Sequence, residues 1–343
     1  MDTRLFHYDL PEDRIAQHPL PKRDGAKLLV LDRSTGRVEH SSVRDLGRWL
    51  QPRDLLVVNK TRVLPARLYA TKDTGAELEV FLLRPALLGK AGDWEALVSP
   101  GKRIKGPARL RLKPRGWVDV QENLGEGHFL VSFSGTGPFR RFLQECGHVP
   151  LPPYIKREDG KADRDRYQTV FAKRDGSVAA PTAGLHFTPE LLGDLKRAGV
   201  GRSEVVLHVG LGTFLPMDEG DSDDHVMHPE SFEVPVATVR AIEGAKSRKG
   251  RVVAVGTTVC RALEAASSSG TLQPAKDETR IFIQPGFSFR TVDALFTNFH
   301  QPMSTLLMLV SAFAGRERVL AAYQEAIREK YRFLSYGDAM LIL

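Results

Sequence analysis

AELEVFLL (76–83), WEALVSP (94–100), ARLRLKP (108–114), WVDVQEN (117–123) and HFLVSFS (128–134) alternate apolar with polar side chains, and Gly, Pro, Asn and Asp separate them. A side-chain period of two is that of a β-strand with one buried face. Short strands at regular spacing, each bounded by turn residues, close into a small barrel or sandwich. Residues 63–149 therefore read as an all-β unit.

The sequence on either side has a different pattern. Upstream come a helical turn after Pro11, the strand KLLVLDR (27–33), a Ser34-Thr35-Gly36 turn, a short helix over 43–50 and the apolar strand LLVVN (55–59). Beyond Pro150 the pattern predicts helices over 189–198, 237–246, 305–314 and 317–330, and strands over 204–209, 251–255 and 279–284. Val319, Tyr323, Ala326 and Ile327 recur at helical spacing and mark a buried face, while Gly315 separates the last two helices. SSSG (267–270) and the stretch 85–93 read as surface loops. The fold class is α/β: a discontinuous α/β main domain, 1–62 and 150–343, with an inserted small all-β barrel domain at 63–149.

The chain has 343 residues, 42% of them hydrophobic and 27% charged, the composition of a soluble protein with a substantial core. Its longest apolar run, 306–313, is broken by Ser311 and falls well short of the ~20 residues a membrane span needs. The first 24 residues are charged and punctuated by proline, unlike a secretory leader. A cytoplasmic protein without membrane contact is expected. Cys146 and Cys260 lack any paired spacing and read as free thiols.

A net charge of +7 and a pI near 9.4 favour an acidic partner. GKRIKGPARLRLKPRG (101–116) holds seven basic residues and no acidic one. Within it Arg109, Arg111 and Lys113 alternate with Leu110 and Leu112. Such a row of cations can follow a phosphate backbone, or it can keep an edge strand from aggregating. Both readings stand on sequence alone.

Four segments carry chemistry. SVAAPTAGLHFT (177–188) combines small residues with Pro181, Thr182, His186 and Thr188, letting a ligand approach the backbone beside polar groups. HVGLGTF (208–214) repeats the theme with His208, Gly210, Gly212 and Thr213. RVVAVGTTVCRALE (251–264) reads as a strand, a turn at Gly256, then Thr257 and Thr258 opening a helix whose free N–H groups suit an anion. The threonines could equally cap that helix. No dinucleotide fingerprint or Walker loop occurs. FTNFHQPMST (296–305) offers Asn298 and His300 as site residues and Ser304 as a helix cap. HVMH (225–228), after the acidic run DEGDSDDH (218–225), invites a metal-hydrolase reading, but the spacing is a weak signal and no metal is assigned.

Taken in order, these segments resemble one family across nearly the whole chain. FHYDLPEDRIAQHPLPKRD (6–24), DLLVVNKTRVLPARL (54–68), VPLPPYIKR (149–157), DRYQTVFA (165–172), SVAAPTAGLHFT, LHVGLGTF (207–214), HVMHPE (225–230), AVGTTVCRALE (254–264), TNFHQPMSTLLMLVSAF (297–313) and YRFLSYGDAML (331–341) carry the likeness. The chain is identified as similar to the S-adenosylmethionine:tRNA ribosyltransferase-isomerases of queuosine biosynthesis. That resemblance implies an α/β domain with an inserted barrel. It also implies transfer and isomerisation of the ribosyl group of S-adenosylmethionine onto 7-aminomethyl-7-deazaguanine at the tRNA wobble position, giving epoxyqueuosine, adenine and methionine. S-adenosylmethionine is then a consumed substrate and no cofactor is required. The partners would be tRNAs with G-U-N anticodons, for Asp, Asn, His and Tyr, and the default assembly is a monomer.

A sulfonium acidifies the adjacent C5′ proton, so such chemistry needs a base and, for adenine, a proton donor. His186, His208 and His300, with unperturbed imidazoles near neutrality, and the carboxylate of Asp338 are the catalytic candidates. Pro181, Thr182, Thr188, Gly210, Gly212, Thr213, Gly256, Thr257, Thr258 and Asn298 are the substrate-binding candidates. Arg109, Arg111 and Lys113 are the tRNA-binding candidates. Lys60, Pro229, Gln301 and Met303 depart from the family pattern beside these motifs, so Lys60 and Met303 are given no role. The rivals are a catalytically silent tRNA-binding protein of the same fold and a metal-dependent hydrolase.

Overall fold

The computed structural model describes residues 1–86, 90, 92–104, 106–125, 127–210, 217 and 220–343. The chain opens with the antiparallel pair β1 (Lys27–Leu31) and β2 (Val38–Ser42), then β3 (Leu55–Asn59) and the short β4 (Thr61–Val63). Six strands follow: β5 (Arg67–Thr71), β6 (Glu77–Pro85), β7 (Trp94–Ser99), β8 (Ala108–Leu112), β9 (Trp117–Gly125) and β10 (His128–Ser134). They close into a barrel in the order β10-β7-β6-β5-β8-β9 with every neighbour antiparallel. The alternation read from the sequence explains why. Leu68, Ala70, Leu78, Val80, Leu110, Leu112, Val118 and Val120 point inward and form one buried cluster. The helix α1 (Phe139–Cys146), which the sequence pattern did not suggest, adds Phe142 and Leu143 to that cluster. Of the surface loop expected over 85–93, residues 87–89 and 91 lie outside the described residues.

The chain then makes α2 (Asp163–Arg166), β11 (Arg174–Ser177), α3 (Pro189–Arg197), β12 (Gly201–Leu207), β13 (Glu230–Val234), α4 (Val236–Ser247), β14 (Val252–Val255), α5 (Thr257–Ala265), β15 (Ala275–Thr279), β16 (Ala294–Asn298), α6 (Thr305–Ala314), α7 (Arg316–Arg328) and β17 (Ala339–Ile342). A nine-stranded mixed sheet runs β15-β13-β12-β3-β14-β16-β17-β1-β2. Its centre, β12-β3-β14-β16, is parallel. LLVVN sits there because both of its faces are apolar: Leu55 and Val57 pack with α4 to α7, Leu56 and Val58 with α3 and a 3-10 turn at Val43–Arg48. Val319, Tyr323 and Ala326 are buried, and Gly315 breaks the chain between α6 and α7 at a φ of 88°.

One expectation needs correction. The strand placed over 279–284 lies at Ala275–Thr279, where AKDET pairs with β13 as a charged sheet edge. The apolar residues beyond it satisfy themselves by packing as a loop, and Ile283 is buried in the main core. β17 was not foreseen: four apolar residues after a glycine turn fit a strand or a helix fragment equally well. It lies antiparallel to β16 and parallel to β1. Both cysteines are free. Among the described residues, no helix is long and apolar enough to cross a membrane.

Candidate functional site

The central strands end together, and a cleft opens at the carboxyl ends of β14 and β16. It holds about 590 Å³ of space continuous with solvent, and its wall includes Tyr154, Pro181, Thr182, Val209, Gly256, Thr257, Thr258, Asn298, His300, Ser304 and Ser335. Open α/β sheets place ligands at this end of their strands.

Gly256 follows β14 at a φ of 98°, and a Cβ there would lie 3.4 Å from the Ala183 side chain. Glycine therefore keeps the turn unstrained and the cleft open. It passes directly into α5 as the N-cap, with no side-chain cap. Thr258 Oγ1 instead accepts from Asn59 Nδ2 at 3.4 Å. The N–H groups of Thr257 and Thr258 precede the first intrahelical donor, Val259 N–H, and both residues belong to the cleft wall. Ser304 caps α6, accepting from Leu307 N–H at 3.2 Å, and also lines the cleft.

Asn298 ends β16 and is 2% exposed. Its Nδ2 donates to Leu334 O at 3.2 Å, which fixes the amide's orientation, and also faces His186 Nε2 at 3.2 Å. His186 Nε2 must then accept, so the ring is neutral with its proton on Nδ1. Asn298 Oδ1 is buried without a hydrogen-bond partner among the described residues. His300 lines the cleft, and its Nε2 lies 2.9 Å from Thr297 Oγ1. Tyr323 and Tyr8 fix its backbone: His300 N–H donates to Tyr323 Oη at 3.1 Å, and Tyr8 Oη donates to His300 O.

Burial moves these imidazoles below their unperturbed value. It lowers His300 to about 3, and together with the positive charges of Arg332 and Arg23 it lowers His186 to about 4. His208 is lowered too, by burial and then Arg174. All three rings are neutral at neutral pH.

The other candidates scatter. His208 stands off the cleft wall, its Nδ1 2.8 Å from Thr61 Oγ1. Its ring packs on Gly176, where a Cβ would come within 2.7 Å of it. Asp338 spends both carboxylate oxygens on backbone, accepting from Lys27 N–H at 2.9 Å and Arg332 N–H at 2.7 Å. Burial raises its pKa. Thr188 caps α3, accepting from Leu191 N–H at 3.1 Å. Gly210 N–H donates at 3.1 Å to Glu230, which is itself paired with buried Arg261 of α5. Gly212 and Thr213 lie outside the described residues. Neither His225 nor His228 belongs to a group of three or more potential metal ligands among the described residues.

On the barrel, Arg109, Arg111 and Lys113 are exposed while Leu110 and Leu112 are buried. Arg109 pairs with Asp119 at 3.3 Å, and Lys113 pairs with Glu77. The sequence reading missed Tyr154 and Ser335, whose hydroxyls meet at 2.7 Å on the cleft wall. The proline-flanked tyrosine of PPYIK was the one available signal.

Fold and cleft together describe an α/β protein with an open cleft at its strand ends and a barrel with a basic face. The family described as queuosine biosynthesis protein matches residues 3–342. The S-adenosylmethionine:tRNA ribosyltransferase-isomerase of Acidithiobacillus ferrooxidans is 51% identical over 342 residues, covering 100% of this chain and 98% of the relative. That of Trichlorobacter lovleyi is 48% identical over 346 residues, with both chains covered completely. The crystal structure of S-adenosylmethionine tRNA ribosyltransferase from Thermotoga maritima is 38% identical with a TM-score of 0.57, covering 99% of this chain and 100% of that one. The chain belongs to the queuosine biosynthesis protein family. The silent-binder and metal-hydrolase rivals find no support in these likenesses.

Proposed function

We propose that this chain is a transferase that moves the ribosyl group of S-adenosylmethionine onto 7-aminomethyl-7-deazaguanine at the tRNA wobble position and isomerises it to epoxyqueuosine, releasing adenine and methionine. The observation that carries this reading is full-length identity near 50% to S-adenosylmethionine:tRNA ribosyltransferase-isomerases. S-adenosylmethionine is a substrate, and no separate cofactor is invoked. The tRNAs are those with G-U-N anticodons, for Asp, Asn, His and Tyr, and the working unit is a cytoplasmic monomer.

The cleft chemistry supports specific roles. The N–H groups of Thr257 and Thr258 and the positive end of α5 suit the methionyl carboxylate. Pro181 and Thr182 line the same cleft. The unpartnered Asn298 Oδ1 accepts a substrate N–H or O–H, a contact whose loss would leave a buried acceptor unsatisfied. Of the four acid–base candidates, His300 alone lines the cleft. His300 is assigned as the base on its position; its neutral ring is the proton-accepting form, and the burial that keeps it neutral also weakens its basicity. His186 acts one hydrogen bond behind the wall, through Asn298, as a positioning residue.

The deciding experiment incubates the chain with S-adenosylmethionine and tRNA carrying 7-aminomethyl-7-deazaguanine. Digested nucleosides are weighed by mass spectrometry and free adenine is assayed. The epoxycyclopentanediol mass gain together with adenine is the expected result. tRNA binding without either product sinks the reading.

A further inference from the structure

Away from the cleft, the outer face of the barrel brings aromatic rings and cations together. Thr71 of β5 lies opposite Arg111 of β8, and Arg111 lies opposite Trp117 of β9. In the adjoining row Lys113 N–H donates to Tyr69 O at 3.2 Å. Strand alternation sends Leu68, Ala70, Leu110 and Leu112 into the barrel, leaving Tyr69, Arg111 and Lys113 outside. Tyr69 is 39% exposed, and among the described residues no Phe, Trp or other Tyr is as open to solvent. Its ring meets that of His148 edge-on at 5.0 Å, and the Arg109 guanidinium sits 5.1 Å over the Trp117 ring.

Of the carboxylates near Tyr69 all but one are already engaged; Glu158, whose charge also reaches that ring, makes no ion pair among the described residues. Glu79 pairs with Arg67 at 3.3 Å, Asp159 with His148 at 2.8 Å, Asp119 with Arg109 at 3.3 Å and Glu77 with Lys113. Arg111 has no ion pair or side-chain hydrogen bond among the described residues. An exposed ring with an unspent guanidinium diagonally across the strand pair offers a base a face to stack on and its phosphate a charge to meet. The surface is also close to the cleft. His148 precedes Tyr154 of the cleft wall by six residues, a reach of roughly 20 Å at most.

We propose that this face, built on Tyr69 with His148, Arg111 and Trp117, binds unpaired nucleotides of the tRNA that flank the one held in the cleft. The proposal rests on the tRNA-modifying function above. It commits the surface to single-stranded RNA, since a stacking ring needs an open base while a paired helix meets only the cations.

The test measures binding of an anticodon stem-loop RNA and of a fully paired RNA to the full-length chain, with adenine release followed in parallel on the complete tRNA. Y69A weakens stem-loop binding about 5- to 150-fold, the range set by base–aromatic stacking, and Y69F retains it. R111A lowers the slope of log affinity against log salt by about one, and R111K restores it. The paired RNA responds to R111A and ignores Y69A. Wild-type stem-loop affinity in Y69A, or an equal loss for both RNAs, overturns the surface. An unchanged salt slope in R111A does so as well, and that arm stands alone if Y69A fails to fold. A wild-type chain that neither binds tRNA nor releases adenine instead overturns the function itself.

Discussion

His300 and His186 are held neutral by the same burial that puts them beside the cleft, so one physical cause sets both their chemistry and a stability liability. An unfolded imidazole titrates near 6.5, whereas His186 resists protonation to about 4 and His300 to about 3. Between those values the unfolded chain binds more protons than the folded one. Stability therefore falls as pH drops below about 6.5. Thermal unfolding measured from pH 7 to pH 4 is expected to show this slope, and His300→Gln is expected to flatten it; an unaltered slope would remove His300 as its source. In single-turnover assays His300→Ala is expected to slow the reaction by about 10²-fold or more, with His208→Ala costing less because that ring meets Thr61 and Gly176 rather than the cleft. Comparable losses in the two variants would contradict the assignment of His300 as base.

At the scale of elements, what could be read from sequence is what local periodicity encodes. LLVVN and the alternating barrel strands carry their burial pattern in consecutive residues, so both emerged where the structure has them. The four residues of β17 and the helix α1 have too little pattern of their own, and only their neighbours in space define them. The site divides in the same way. Thr182, Thr257, Thr258, Asn298 and His300 announce themselves by polarity beside strand ends and share one cleft, whereas Tyr154 and Ser335 join it through tertiary packing alone. Thr188 and Asp338 stand off the cleft wall with structural partners, because capping and backbone clamping use the same polar side chains that ligand binding does. The basic strand is testable as an element. Replacing Arg109, Arg111 and Lys113 together is expected to weaken tRNA binding and flatten its salt dependence by about one to three charges. The lower figure applies if the Asp119 and Glu77 pairs already neutralise two of them. A slope equal to wild type would return β8 to the role of a protected edge.

Across the whole molecule, the barrel is stitched to the main sheet where its entry and exit strands meet. Arg67 and His148 exchange backbone hydrogen bonds there, Val178 enters the barrel core from the segment leading to the cleft, and a Cβ on Gly147 would meet Pro65 O at 2.1 Å. Gly147→Ala is accordingly expected to cost ~1–3 kcal/mol by overpacking, read as a lowered Tm; an unchanged Tm would mean the junction has slack. The nine-stranded sheet has a seam of its own. β1 and β2 reach the other strands only through β17, and Lys27 N–H waits for Asp338, 311 residues further along. During translation the first hairpin therefore emerges with no partner for its inner edge. At ~5–20 residues per second it remains so for roughly 15–60 s, an exposed apolar strand in a crowded cell until the residues that close the seam have left the ribosome.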